Sequence, residues 1–328
     1  MTTTASIDHH LGPARGRYFG EGFKRVDHAL TDLRIGGGSV AARATLTYPA
    51  DWSRKSSGSL RPHLSSIDGL VIAVELADAY LTHAFGLDLS QRRRAWLRAF
   101  EMRVTAPTEE LASFGVRAQH AGCAPSRSGR CDHVSSFICH VGTIRVTCAI
   151  EHDIATGAGG EGRYATADEL LGGAAGRHYG DAYKRRTQHI DDVATSGAAI
   201  RATVAVDDPR GAVDVGLGGA YGPSVSMVDC LLSMAQLAQV LAYDLDRIER
   251  AGSNTFWMRR LSFQTATPVH PLGDRHDAAL AVHRGKLLTV GGEPWRALDL
   301  GGTLGSYETH GSIAHALPAT STALCAAA

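Results

Sequence analysis

The chain has 328 residues, 44% hydrophobic and 20% charged, which is enough for two ordinary domains with sizeable cores and unlike a disordered protein. Its 33 basic and 33 acidic residues balance, so no field for nucleic acid or anionic lipid is implied. The start, MTTTASID, lacks a leader pattern, and no run approaches the roughly 18 apolar residues of a membrane span. A cytoplasmic protein is expected, with neither a nucleic-acid nor a membrane partner.

The first feature along the chain is DHHLGPARGRYFGEGFKR at 8–25, which returns as DELLGGAAGRHYGDAYKR at 168–185. Asp8, Leu11, Gly12, Ala14, Gly16, Arg17, Gly20, Lys24 and Arg25 meet identical residues 160 positions on. After this lead-in come strand-like runs, FKRVDHALTDLRI and SVAARATLTY, then a Gly/Ser/Pro loop. Ile67, Leu70, Val71, Val74, Ala77 and Leu81 then mark a long helix. Period-two strands follow from Trp96, and FICHVGTIRVTCAI completes the first unit.

The second unit repeats this order. Residues 62–107 lie over 223–268 without a gap, matching Pro62 with Pro223, Ser65 with Ser226, Asp68 with Asp229, Trp96 with Trp257 and Arg98 with Arg259. A period this long is a domain duplication and not a solenoid. The expected organisation is a first unit at 8–152, a Gly/Ala-rich linker at 153–167, a second unit at 168–316 and a disordered tail at 317–328. Strands, one long helix and more strands resemble the hotdog fold. The expected class is α+β, a tandem or double hotdog with two antiparallel sheets that each wrap one long central helix.

The strongest chemical signal is the pair PHLSSID and PSVSMVD. As structure, Ser65 and Ser226 are helix N-caps, with Asp68 and Asp229 returning to the cap amide as a capping box. As chemistry, a carboxylate and free amides at a helix start suit a thioester carbonyl and its oxyanion. Hotdog dehydratases keep a proline six positions before the catalytic acid, as Pro62 and Pro223 do here. Their catalytic histidine would fall at Arg54 and Val215 and is missing in both units, which leaves His63 as the candidate beside the first helix.

Glu75 and Gln236 are equivalent, on the helix face of the aspartates; they bond across the pseudo-twofold or contact substrate. Arg98 and Arg259 pair with a carboxylate or hold an oxygen of substrate. Tyr221 and His63 are the neighbours that break the symmetry between the two sites. His120, Cys123, Cys131, His133, Cys139 and His140 do not have zinc spacing, and no metal or cofactor is expected. The six cysteines suit reduced thiols.

The runs SIDHHLGPARGRYFGEGFKRV and RPHLSSIDGLVIAVELADAYLTH resemble the avirulence D (AvrD) family across essentially the whole chain. That resemblance implies joining of a β-ketoacyl thioester, carried on coenzyme A or acyl carrier protein, to a xylulose-like hydroxyketone, giving a butenolide or syringolide-type signal lipid. The residues read above fit such chemistry with Asp68 or Asp229 as base, His63 as the further catalytic candidate, and Ser65, Ser226, Glu75, Gln236, Tyr221, Arg98 and Arg259 toward substrate. The protein would be a monomeric pseudo-dimer or a homodimer. The alternatives are a hotdog thioesterase or dehydratase with a rearranged site, and a non-catalytic acyl-binding module.

Overall fold

The computed structural model describes residues 5–318 except 53, 56, 57, 60, 156–158, 210–214, 251, 252, 254 and 255. The first half contains α1 (Ile7–Leu11), β1 (Asp27–Gly36), β2 (Ser39–Thr47), a small hairpin of β3 (Arg54–Lys55) and β4 (Gly58–Ser59), and α2 (Ser66–Ala84). It continues through α3 (Leu89–Arg94), β5 (Trp96–Val104), β6 (Phe114–Pro125), β7 (His133–Val141) and β8 (Ile144–His152). The second half has β9 (Gly162–Thr166), α4 (Ala167–Leu171), β10 (Thr187–Ser196), β11 (Ala199–Asp207), α5 (Met227–Asp246), β12 (Phe256–Gln264), β13 (His276–Val290), β14 (Glu293–Leu304) and β15 (Tyr307–Ala316).

The six main strands of each half have the same order. The first half reads β1-β2-β6-β7-β8-β5 and the second β10-β11-β13-β14-β15-β12, with the long helix between second and third strand in both. The helix α2 lies against β1, β2 and β5 to β8, and α5 against β10, β11, β13 and β14. Every residue from Ile67 to Leu81 is buried, as a helix enclosed on all sides requires. Even a backbone irregularity is duplicated. Asp32 and Asp192 both adopt φ of 54°, where β1 and β10 shift register, a conformation that Asp tolerates better than most residues.

The expectation of two separate sheets is corrected by the pairing of the two edge strands. β5 and β12 join antiparallel, Phe100 opposite Phe263 and Met102 opposite Leu261, so the halves form one continuous sheet of thirteen strands. Unpaired backbone groups on each edge are thereby satisfied by the other half.

The repeated lead-in segments are exchanged. α1 packs on α5 and β10, while α4 packs on α2 and β1. Val193 donates to the Ala5 carbonyl at 2.9 Å, and β9, within the expected linker, pairs with β1 through Leu33 and Tyr164. Each half therefore begins by covering the other. The two lead-ins meet at Phe23 and Tyr183, stacked at 6.0 Å. The expected tail lies outside the described residues from 319 onward, as does Cys325.

Candidate functional site

The sequence SSID starts α2 with a capping box. Ser65 N donates to Asp68 Oδ2 at 2.9 Å, and Asp68 N donates to Ser65 Oγ at 3.2 Å. This half adds more. Ser65 Oγ donates to Asp68 Oδ2 at 2.7 Å, and the Tyr18 hydroxyl, from the lead-in, donates to Ser65 Oγ at 2.6 Å. Tyr48, next after β2, donates its hydroxyl to Asp68 Oδ2, and His28 Nε2, from the start of β1, lies 2.8 Å from Oδ1. Asp68 is 1% exposed. Burial alone would raise its pKa, but the hydrogen bond and charge of His28, with Tyr48 and Ser65, hold it below the ordinary value. Asp68 is a buried carboxylate kept ionised by its donors.

Ser65 forms part of the wall of a cleft of about 900 Å³, measured to its open mouth. Tyr18, Trp52 and His63 of the first half line it, facing Phe256, Trp257 and Met258 of the second. Trp52 sits edge-on to Tyr18 at 5.1 Å and to Tyr48 at 5.3 Å, and His63 stacks on Trp257 at 5.4 Å. Among the described residues, the amides of Ser66 and Ile67 have no hydrogen-bond acceptor, as the first turn of a helix leaves them. Phe19, Ser66, Phe256 and Met258 also line an adjoining apolar cavity of about 580 Å³ beneath α5, bounded by Leu231, Met234, Leu280, Leu300 and Ile313. The cleft thus has a polar wall at the start of α2 and an apolar extension.

The start of α5 repeats the capping box but not its surroundings. Ser226 N and Oγ donate to Asp229 Oδ2 at 2.9 and 2.8 Å. Arg186 Nη1 donates to the same oxygen at 2.7 Å, and Gln188 Nε2 donates to Oδ1 at 2.8 Å. Gln188 stands where the first half has His28, Asp208 where it has Tyr48, and Arg186 where it has Val26. Burial opposes ionisation of Asp229, but the Arg186 charge, then His178 and Ser226, hold its pKa below the ordinary value. Asp229 is thus a buried carboxylate paired with a buried guanidinium. The cleft here is smaller, about 460 Å³, with Tyr221, Tyr179 and Tyr307 in its lining.

The other expected site residues fall into two groups. Arg177 Nη1 donates to Glu75 at 2.6 Å, and Arg17 Nη1 donates to Gln236 Oε1 at 2.7 Å, so the mid-helix polar pair bonds to the exchanged lead-ins. Tyr221 donates to the Arg94 carbonyl at 2.8 Å, at the second cleft only. Arg98 lies 3.4 Å from Glu151, and exposed Arg259 reaches the Thr105 carbonyl at 3.4 Å. Both arginines fall where their strands shift register, and neither lines the clefts beside Ser65 or Ser226. His63 reaches the Arg61 carbonyl at 3.3 Å and walls the cleft without touching Asp68. Sequence reading missed His28, Tyr48 and Tyr18. The available signal was the repeat itself, which sets His28 against Gln188 at the 160-residue offset of the lead-ins.

Among the described residues no three His, Cys, Asp or Glu side chains converge as a metal site would need, and no helix is long and apolar enough to cross a membrane. Residues 2–318 match the family described as Pseudomonas avirulence D protein (AvrD). No curated protein matches the chain. Among solved structures it is similar to a tesB protein of Mycobacterium avium subspecies paratuberculosis, at 10% identity, 88% of this chain, 96% of that chain and a TM-score of 0.42. An acyl-CoA thioesterase II of Mycobacterium marinum matches at 10% identity, 78% of this chain, 88% of that chain and a TM-score of 0.41. A protein of unknown function with a hot dog fold from Alicyclobacillus acidocaldarius matches at 10% identity, with 87% and 96% covered and a TM-score of 0.41.

Proposed function

The chain belongs to the avirulence D (AvrD) family, and from that premise we propose that it is an enzyme of acyl thioesters. It transfers a β-ketoacyl group to a hydroxyl of a small xylulose-like ketone and closes the product to a butenolide or syringolide-type ring. The observation that carries this reading is the contrast between the helix starts. Only the first combines a His–Asp–Ser network with a cleft that runs into an apolar cavity.

The acyl chain occupies the apolar cavity and the thioester carbonyl lies at the start of α2. The sugar hydroxyl attacks the carbonyl carbon as its proton passes to Ser65 Oγ and the Ser65 proton passes to Asp68 Oδ2. His28 holds the other carboxylate oxygen and fixes its orientation. The Ser66 and Ile67 amides stabilise the oxyanion. Collapse of the tetrahedral intermediate breaks the C–S bond, and the departing thiolate recovers the proton by the same route. Ring closure begins as the acidic proton between the two carbonyls passes through Ser65 Oγ to Asp68 Oδ2, from which it returns to the ketone oxygen as the ring forms. The resulting carbanion forms a C–C bond to the ketone carbon, and elimination of water gives the unsaturated ring. Asp229, neutralised by Arg186, serves as a cap.

The test is mass spectrometry of the purified protein incubated with a β-ketoacyl thioester, with and without xylulose. The expected result is a sugar-dependent acylated or cyclised product from the wild type and Asp229→Asn, reduced about a hundredfold in Asp68→Asn and His28→Gln. Free acid formed regardless of sugar would make the protein a thioesterase. Intact thioester under every condition would make it a binding module, and loss confined to Asp229→Asn would place the active site in the other half.

A further inference from the structure

The two exchanged arginines are not neutralised alike. Arg177 donates to Glu75 at 2.6 Å, to Asp168 at 2.6 Å and through Nε to the Gly172 carbonyl at 2.8 Å. Its charge meets two carboxylates and its fork is filled. Arg17, at the equivalent place, meets neutral Gln236 where Arg177 meets Glu75. Its one carboxylate partner is Asp8, whose side chain is 50% exposed. Arg17 itself is 4% exposed, and its buried Nε has no partner among the described residues. Arg177 has a buried carboxylate partner and Arg17 only the half-exposed Asp8.

A second guanidinium stands beside it. Arg250, following α5, donates to the Gly16 carbonyl at 3.1 Å, and among the described residues no carboxylate pairs with it. Arg17 and Arg250 both line the large cleft, and among the described residues none that lines it is acidic. Burial and mutual repulsion depress the pKa of Arg17, and burial depresses that of Arg250. Asp68, nearby, is behind Ser65 and committed to His28, Tyr48 and Ser65. Half-buried Arg250 has no carboxylate partner among the described residues, and a planar guanidinium matches phosphate oxygens with paired N–H groups.

We infer that the cleft contains a phosphate-binding subsite, with Arg250 contacting the anion and Arg17 a second guanidinium in the same wall. The ligand it fits is the phosphate of a pantetheine arm, whether that arm belongs to coenzyme A or to a carrier protein. The identity of the arm rests on the thioester reading above; the charge imbalance does not. Binding is measured without turnover, so failure of acyl transfer leaves this inference standing.

The test is isothermal titration of the full chain with coenzyme A, 4′-phosphopantetheine and unphosphorylated pantetheine. The proteins compared are the wild type, Gln236→Glu and Arg250→Gln. Gln236→Glu installs the carboxylate present at Glu75 but gives up the Nε2 bonds to the Phe19 and Leu232 carbonyls, so its folding is checked by its thermal midpoint and Arg250→Gln serves as the independent variant. The expected result is at least about tenfold weaker binding of both phosphorylated probes in each variant, the value of one charge-assisted hydrogen bond. Pantetheine should bind the wild type that much more weakly and be indifferent to the substitutions. Equal dependence for the two phosphorylated probes assigns the phosphate common to coenzyme A and carrier protein, whereas dependence for coenzyme A alone assigns its further phosphates. Unchanged affinity in both variants, pantetheine binding as tightly as coenzyme A, or no binding of either phosphorylated probe overturns the inference.

Discussion

Replacing Arg177 by methionine tests the exchange of the lead-in segments. The guanidinium is 3% exposed and the Glu75 carboxylate 8%, and they meet at 2.6 Å across the two halves. Breaking a buried pair by removing one partner leaves a stranded charge and costs about 3–5 kcal/mol. Arg17→Met removes an equally buried arginine whose partner on the helix is a neutral amide, so its cost should be nearer the ~1 kcal/mol of an ordinary hydrogen bond. The assay is urea unfolding of the two variants, with the difference read from the midpoints at a common slope. The deficit of Arg177→Met should also depend on pH. Burial already raises the Glu75 pKa above the ordinary 4.5, and losing the arginine raises it further. The folded state then binds more protons than the unfolded one above pH 4.5, so the deficit shrinks as pH falls from 8 toward 5. The double variant Arg177→Met with Glu75→Leu should recover most of the loss. Equal costs for Arg177→Met and Arg17→Met, or a deficit independent of pH, would refute the argument.

The remaining predictions concern other parts of the molecule. Gly20→Ala and Gly180→Ala should each cost about 2 kcal/mol or more in thermal or urea unfolding, because a Cβ would lie 2.4 Å from the Ala14 carbonyl oxygen and 2.6 Å from that of Ala174. Asp229 has a folded pKa below 3.8, so its contribution is complete above that value and is lost as pH falls through the folded pKa; Asp229→Asn should flatten acid unfolding there while lowering stability at neutral pH. Burial lowers the pKa of His152, helped by the charges of His133 and His120, so the unfolded chain binds its proton first. The thermal midpoint should therefore fall as pH drops below about 6.5, and His152→Gln should reduce that dependence.

What the sequence made legible is what the repeat states directly. The repeated strand order and the two long capped helices follow from residues that recur at a fixed offset, whereas the recurrence of Glu75 and Gln236 left open whether they bond across the pseudo-twofold or contact substrate. The exchange of the lead-ins does not follow from the repeat, because a repeat says that two segments are alike and not which half each one covers. Only the packing of α1 on α5 and α4 on α2 distinguishes the arrangements. The fusion into one sheet was equally hidden, since an edge strand that meets solvent and one that meets its pseudo-symmetric copy can have the same alternation. Arg98 finds a carboxylate in Glu151, one of the two partners its sequence context offered, and neither it nor Arg259 lines the clefts beside Ser65 or Ser226. Period-two reading puts them in phase with Trp96 and Trp257, but β5 and β12 shift register at these residues.

His28 and Tyr48 show a different limit. They reach Asp68 from two strands, and neither carries a motif at 20 or 40 residues' distance. What marks them is divergence within an otherwise faithful duplication. In a symmetric dimer of single units, a histidine opposite one aspartate is a histidine opposite both, and a glutamate beneath one arginine lies beneath both. Covalent fusion removes that constraint. One aspartate can then acquire a buried arginine and become a fixed cap while the other keeps a histidine and two tyrosines. One mid-helix position can hold glutamate and the other glutamine, so that one lead-in arginine meets a buried carboxylate and the other a neutral amide. Because the lead-ins are exchanged, the two differences meet at the same cleft: Gln236 lies on the second helix, yet the arginine it bonds as a neutral amide lines the cleft at the start of the first.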